Sequence, residues 1–411
     1  MLPEKIRELN VSIGGSQFAG QLIKASRFEF RYVSANDHQS EVALLMQPSV
    51  KLTWQDGDLF APMDQNLPEG DLYMRIRELF PKQPMTPMHL LALMGQNGIG
   101  RLGYGIPGTT PAVLPQAINK ADLLKVSYTP QVFSELVAAY LSTGAGIAGM
   151  QPKIMVPDRP TIPIPSLIVK AASESYPGLA ANEFLCLSAA RSAGILTPIF
   201  DLSDDGQMLV LDRFDIGLGQ DGKVERLGFE DIAALAGLRV RDVLSDRKYQ
   251  GSYQRVAELL RQLGLHSENL HRFFEQVAFS VMVRNGDAHL KNFGVLYRSA
   301  SDIWLAPMFD VVTTSIYKYT QYQGGPLLED RTLAIKMFAG RHQTKRYPTL
   351  NELIDFGRRI CSVPNPEVVL GRITQAMQDT LRTAHFDERI PKLLLSQMRD
   401  AWNFGLAQYR S

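Results

Sequence analysis

Asp287 and Asn292 stand five residues apart in Arg284-Asn285-Gly286-Asp287-Ala288-His289-Leu290-Lys291-Asn292-Phe293, and Asp310 follows eighteen residues later in Met308-Phe309-Asp310. An aspartate can orient a hydroxyl or accept its proton. An asparagine oxygen and a second carboxylate are hard donors of the kind Mg2+ prefers. A base followed by two metal ligands in this order is the arrangement that phosphoryl transfer uses. Lys291 is placed to neutralise charge on a transferring phosphoryl group. His289 would orient the loop or touch phosphate, and a packed structural histidine would suit the same position.

A nucleotide site is needed upstream. The stretch from Gly144 to Lys153 supplies a glycine-rich loop, with Gly146, Ala148, Gly149, Gln151 and Lys153 as candidate phosphate contacts. Small residues let backbone N–H groups approach phosphate oxygens. No Gly-Lys-Ser/Thr follows, so this is no Walker A box, and a turn without ligand would use the same residues. Lys170 ends the apolar run Ser166-Leu167-Ile168-Val169, where a cation would pair with the α- and β-phosphates. Glu183, thirteen residues on, lies in the first turn expected for a helix at about 181–193 and would orient Lys170 through an ion pair. A snorkelling lysine and a helix-dipole glutamate are the plainer alternatives. The run Leu209 to Asp215, with Arg213 and Phe214, suits a hinge whose backbone would bond the adenine edge, or a buried strand ending in solvent. A single loop aspartate is commonplace. Five such elements in one order make ATP and Mg2+ the expected cofactors.

The positioning elements can be read from periodicity. Residues 10–33 read as strands, with Val11 and Ile13, then Phe28, Phe30 and Tyr32, alternating with polar neighbours. Residues 64–102 read as two helices broken at Pro81 and Pro84, followed by a strand at Arg101–Tyr104. The Pro- and Gly-rich stretch 106–115 is a candidate linker. Beyond it the pattern predicts a helix at 131–141, strands at 153–156 and 166–170, and a hairpin of 198–202 and 207–213 about Ser203-Asp204-Asp205-Gly206. After about 228 helices dominate, apart from strands near 293–297 and 303–306. A helix from Phe273 to Val283 leads into the catalytic segment, with Asn285-Gly286 breaking it. Strands first and helices later predict an α+β fold. The expectation is a bilobal, protein-kinase-like arrangement: a small N-terminal α/β subdomain over 1–106, an N-lobe over 107–215 and a mostly helical C-lobe over 216–411.

The 411 residues are 45% hydrophobic with a net charge of +1, so no strong field points to nucleic acid or membrane. Cys186 and Cys361 sit in apolar surroundings and are expected as buried free thiols in a reducing cytoplasm. The first residues do not read as a signal peptide, and no apolar run reaches the roughly eighteen residues of a membrane span.

Taken together these segments resemble the HipA family, the toxin kinases of bacterial toxin–antitoxin modules, over nearly the whole chain. Leu67-Pro68-Glu69-Gly70 and Gly98-Ile99-Gly100-Arg101-Leu102 match the family's N-terminal domain loosely. Gly149 to Lys153, Asn182-Glu183-Phe184, Asp212 to Asp215 and Gly286 to Asn292 match its kinase part more specifically. The order Asp-x-His-x-x-Asn is distinctive of the family. The resemblance implies Asp287 as catalytic aspartate, Asn292 and Asp310 as Mg2+ ligands, Lys170 as the ATP lysine, and Arg213 and Phe214 as neighbours of adenine. It implies transfer of the ATP γ-phosphoryl to a protein serine or threonine, in the family sometimes of an aminoacyl-tRNA synthetase. A small helix-turn-helix antitoxin would be the partner, with DNA reached only through it. A small-molecule or lipid kinase, or a nucleotide-binding partner of a repressor, would share most of these motifs. Two departures stand out: Gly146 occupies a loop position where family members often carry serine, an autophosphorylation site, and Ala148 one where some carry a second serine, so this chain would lack that modification or use Ser142 or Thr143. Asp212 stands where glutamate is common.

Overall fold

Alternating burial near the N-terminus builds an antiparallel sheet. In the computed structural model, strand β1 (Glu8–Ile13) buries Leu9, Val11 and Ile13. Strand β2 (Gln17–Lys24) lies between it and β3 (Phe28–Tyr32), which buries Phe28, Phe30 and Tyr32. β4 (Thr53–Asp56) and β5 (Leu102–Gly105) complete the order β4-β3-β2-β1-β5. β4 has no fully buried residue, so it lacks the alternation that marks β1 and β3. The helices Gly70–Leu79 and Pro87–Met94 flank the break expected at Pro81 and Pro84. Pro87 opens the second at a position whose N–H needs no partner, and Thr86 caps it by accepting from His89 N.

The structure describes all residues except 1–2, 16, 35–40, 97, 110–117, 133, 137–152, 157–165, 172–175, 220–222, 320–324 and 410–411. The glycine-rich loop, with Gly146, Ala148, Gly149 and Gln151, therefore lies outside the described residues, as do most of the expected linker and the second half of the helix expected at 131–141. The chain divides into two compact units: Met1–Ala171 with Val210–Arg247 and Gly294–Ile303, and Ala172–Leu209 with Lys248–Phe293 and Trp304–Ser411.

In the first unit, strands Lys153–Val156 and Leu167–Ala171 pair antiparallel, with Lys153 opposite Lys170. A hairpin of Ile216–Leu218 and Val224–Arg226, and a pairing of Gly228–Asp231 with Gly294–Ser299, were not legible in the sequence. The loop before β5 is gripped by buried guanidinium groups. Arg213 Nη2 donates to Gly98 O at 2.8 Å, and Arg226 Nη2 donates to Gly100 O at 2.6 Å. Asp215 Oδ2 accepts from Gly100 N at 2.6 Å and also pairs with Arg213. Gly100 is required here, since its φ is +82° and an added Cβ would press on the Phe229 backbone.

The second unit is mainly helical. The helix Leu179–Ser192 starts two residues before its expected onset, after Gly178 at φ 69°, which places Glu183 in the second turn rather than the first. It is buried on nearly every side, its alanines letting Pro366–Thr383 pack close. The helix expected at 273–283 spans Ser267–Met282, because polar residues extend it toward the N-terminus before the apolar face begins. It ends at Arg284, not at Asn285-Gly286. Arg284 takes the left-handed conformation with φ 61°. Arg284 N donates to Val281 O at 3.3 Å and Asn285 N to Ser280 O at 2.9 Å, the two bonds of a Schellman cap. The Arg284 guanidinium stacks 3.9 Å from the Tyr347 ring centre, a contact that a glycine could not make. Cys186 and Cys361 are buried and free, as expected.

Candidate active site

The turn after this cap carries the expected catalytic residues. Asn285 is buried, and its Oδ1 accepts from Asp287 N at 3.0 Å, an Asx turn that sets the backbone of Asp287. Asp287 O accepts from His289 N at 2.7 Å, and His289 O from Asn292 N at 3.0 Å. Tyr253, buried, donates its hydroxyl to Ala288 O at 2.8 Å. Gly286 N donates to Thr314 Oγ1 at 2.7 Å. The single Thr314 hydroxyl proton serves either Asp330 Oδ2 at 3.0 Å or Arg284 O at 3.2 Å. The loop is thus held at nearly every residue.

Asn292 Nδ2 donates to Asp310 O at 3.1 Å, which joins the two expected metal ligands directly. With its nitrogen so engaged, the amide oxygen is the atom left to face a cation. Asp310 itself has φ 52°, a conformation aspartate tolerates better than most residues. Its segment is fixed from behind. Asn182 Oδ1 accepts from Thr313 N at 2.9 Å, Asn182 Nδ2 donates to Thr313 O at 3.1 Å, and Trp402 Nε1 donates to Thr313 Oγ1 at 2.7 Å.

Asp287 keeps 47% of its side-chain surface open, yet protein crowds it closely enough to raise its carboxyl above the ordinary 3.8. Burial is the largest cause. The Tyr249 hydroxyl, which donates to Asp287 Oδ1 at 2.7 Å, and the Lys248 charge oppose it, while Asp310 and Asp330 add to the rise. Mutual repulsion among these carboxylates is what a bound cation relieves. Among the described residues no group of three or more His, Cys, Asp or Glu is arranged to hold a metal alone. The Asn292 amide oxygen and the Asp310 carboxylate are hard oxygen donors of the kind Mg2+ takes, commonly one or two from protein with substrate phosphates and water completing the shell. His289 is held well below the usual 6.5, first by burial and then by Lys248 and Lys291, so its ring is neutral. Its Nε2 lies 3.9 Å from Asp287 Oδ1, too far for a hydrogen bond.

Asp287, His289, Lys291, Asn292, Asp310 and Glu183 all belong to the second unit, Lys153, Lys170, Arg213 and Phe214 to the first. Lys170 and Glu183 are both buried, at 3% and 1% exposure. The Arg213 side chain is committed to Asp215 and Gly98, and its backbone N–H donates to Ser166 O at 2.9 Å. Phe214 packs edge-on to Phe229. Asp330, Tyr249, Thr314 and Asn182 are the residues that sequence reasoning did not assign to the site. Asn182 adjoins Glu183, so a buried polar residue inside an otherwise apolar helix was the one available signal.

A model of the HipA-like C-terminal domain matches residues 145–384, and a model of the HipA N-terminal domain matches residues 9–105. Two Sinorhizobium fredii proteins, both named only as candidate kinases, are similar. Y4dM is 31% identical over 169 residues, 37% of this chain and 38% of that protein. Y4mE is 25% identical over 224 residues, 51% of this chain and 52% of that protein. The chain thus spans about half or less of the length of these relatives. Among solved structures, that of the Shewanella oneidensis MR-1 toxin–antitoxin system HipA, HipB and its operator DNA matches with a TM-score of 0.67 at 16% identity, covering 98% of this chain and 96% of that one. At that identity the likeness shows the fold, which is α+β and of the HipA kind. Among the described residues no helix is long and apolar enough to cross a membrane.

Proposed function

Because this chain belongs to the HipA family, carrying matches to both of its domains, we propose that it is an ATP- and Mg2+-dependent kinase that phosphorylates a protein serine or threonine. The observation that carries this reading is the constellation of Asp287, Asn292 and Asp310, with the Asn292 amide bonded to the Asp310 backbone. Asp287 would receive the acceptor hydroxyl, orient it and take its proton. A carboxyl with a raised pKa is a stronger base for that step once ionised. The neutral His289 ring adds no second positive charge beside Asp287 to weaken it. Lys291 would stand against the transferring phosphoryl group. Asn292 and Asp310 would hold Mg2+, which when bound neutralises charge on the phosphates. Lys170, oriented by Glu183, would pair with the α- and β-phosphates. Gly146, Ala148, Gly149, Gln151 and Lys153 would cover them, and the backbone at Arg213 and Phe214 would meet adenine.

The matched Shewanella structure is titled as a complex of HipA with HipB and operator DNA. By analogy this chain would be the toxin of such a pair, bound by a helix-turn-helix antitoxin in the cytoplasm. A net charge of +1 suits DNA contact through that partner. The substrate proposed is a translation protein such as an aminoacyl-tRNA synthetase. Phosphoproteomics after induced expression, wild type against Asp287→Asn, tests this. New phosphoserine or phosphothreonine on a translation protein only with the wild type supports it. Label appearing only on a small molecule or lipid would favour the other kinase class.

A further inference from the structure

Tyr249 ends the turn Asp242–Tyr249 and places its phenol on the candidate base. Its Oη donates to Asp287 Oδ1 at 2.7 Å. That is how an acceptor hydroxyl meets a general base: an O–H donor within hydrogen-bond reach of a carboxylate oxygen. Two ammonium groups lie near the ring, while the Asp287 carboxylate faces the hydroxyl itself. Lys248 Nζ lies 5.3 Å from the ring centre and Lys345 Nζ 5.6 Å. The His289 ring meets it edge-on at 5.1 Å. The Tyr249 side chain is only partly buried, so its oxygen is not sealed off from a donor.

We propose that Tyr249 is an internal phosphoryl acceptor of this site. The inference rests on the kinase reading above. With ATP as donor, a bond forms between Tyr249 Oη and the γ-phosphorus. The bond from that phosphorus to the β–γ bridging oxygen breaks, the phenol proton passes to Asp287, and ADP leaves. The product is a phosphate monoester of nearly two negative charges. It would be held by Lys248 and Lys345 and would stand beside Asp287. It therefore blocks the place where any other acceptor must bring its hydroxyl. The device is a self-limiting one: the first turnover closes the base.

The test uses the purified full chain incubated with Mg2+ and ATP, with ADP release, intact mass and phosphopeptide mapping followed together. The expected result is phosphate on the peptide carrying Tyr249. It is absent from Asp287→Asn and from Tyr249→Phe, which keeps the ring and loses only the oxygen. The phosphorylated fraction is expected to lose transfer to other acceptors, and phosphatase treatment to restore it. ADP release or transfer elsewhere with no phosphate on Tyr249 overturns the proposal and leaves the kinase reading standing. Phosphate on Tyr249 that persists in Asp287→Asn also overturns it, because the base would then be another group. No ADP at all overturns both.

Discussion

Arg284 and Asp310 are non-glycine residues with left-handed backbones, and they bracket the candidate site on either side of Asp287 and Asn292. Each such conformation costs on the order of 1 kcal/mol and survives only where its surroundings impose it. For Arg284 the imposing contacts are the Tyr347 and Phe404 rings. Gly286 shows how little room remains. A Cβ there would collide with the Asp330 carboxylate. Asp330 has little freedom to retreat, because Thr314 Oγ1 and Thr332 N both lie within hydrogen-bond distance. Gly286→Ala is therefore expected to lower phosphoryl transfer by at least roughly tenfold while costing on the order of 1–3 kcal/mol of stability. Steady-state rates and urea denaturation measure the two; an alanine variant with unchanged rate would show that Asp330 is not part of the loop's support.

Elements with a clear period are legible in the sequence. β1 and β3 alternate, and the helix Ser267–Met282 shows its apolar face at Phe273, Phe274, Val277 and Val281. Short strands are not. Ile216–Leu218, Val224–Arg226 and Gly228–Asp231 are three or four residues long and carry too little pattern to separate from loop. The helix Leu179–Ser192 was found, but the job of one of its residues was not. Asn182 satisfies both backbone groups of Thr313, three residues past Asp310, and so ties a core helix to the metal-ligand segment. Asn182→Ala leaves a buried N–H and C=O unpaired and is expected to cost about 2–4 kcal/mol. Urea unfolding measures this; a loss below about 0.5 kcal/mol would mean the segment finds other partners.

Across the whole molecule, chemistry adjacent in sequence was readable and chemistry brought together by folding was not. Asp287, His289, Lys291 and Asn292 lie within one turn. Tyr249 and Asp330 reach the same place from 38 residues before Asp287 and 16 residues after Thr314, with no spacing rule to announce them. Likewise Arg213 and Arg226 hold the Gly98–Gly100 loop across more than a hundred residues of chain. A third such long-range contact carries a pH dependence. Burial lifts the Glu230 carboxyl from the ordinary 4.5 to about 7, although it accepts from Leu44 N at 2.7 Å. Between those values the unfolded chain has already released the proton that the folded chain keeps. Stability is therefore lost as pH rises through that window. Relative to Glu230→Gln, the wild type is expected to lose on the order of 3 kcal/mol between about pH 4 and about pH 8 in urea unfolding, and a pH-independent difference would contradict the assignment. Asp287, Asn292 and Asp310 are proposed to form one phosphoryl-transfer site. This is tested most directly by following transfer of the ATP γ-phosphate to protein by the purified chain, with Mg2+ present or chelated, for wild type and Asp287→Asn. Transfer is expected from the wild type only with Mg2+, and is expected to be lost in Asp287→Asn while nucleotide binding persists. Equal transfer by the two proteins would contradict it.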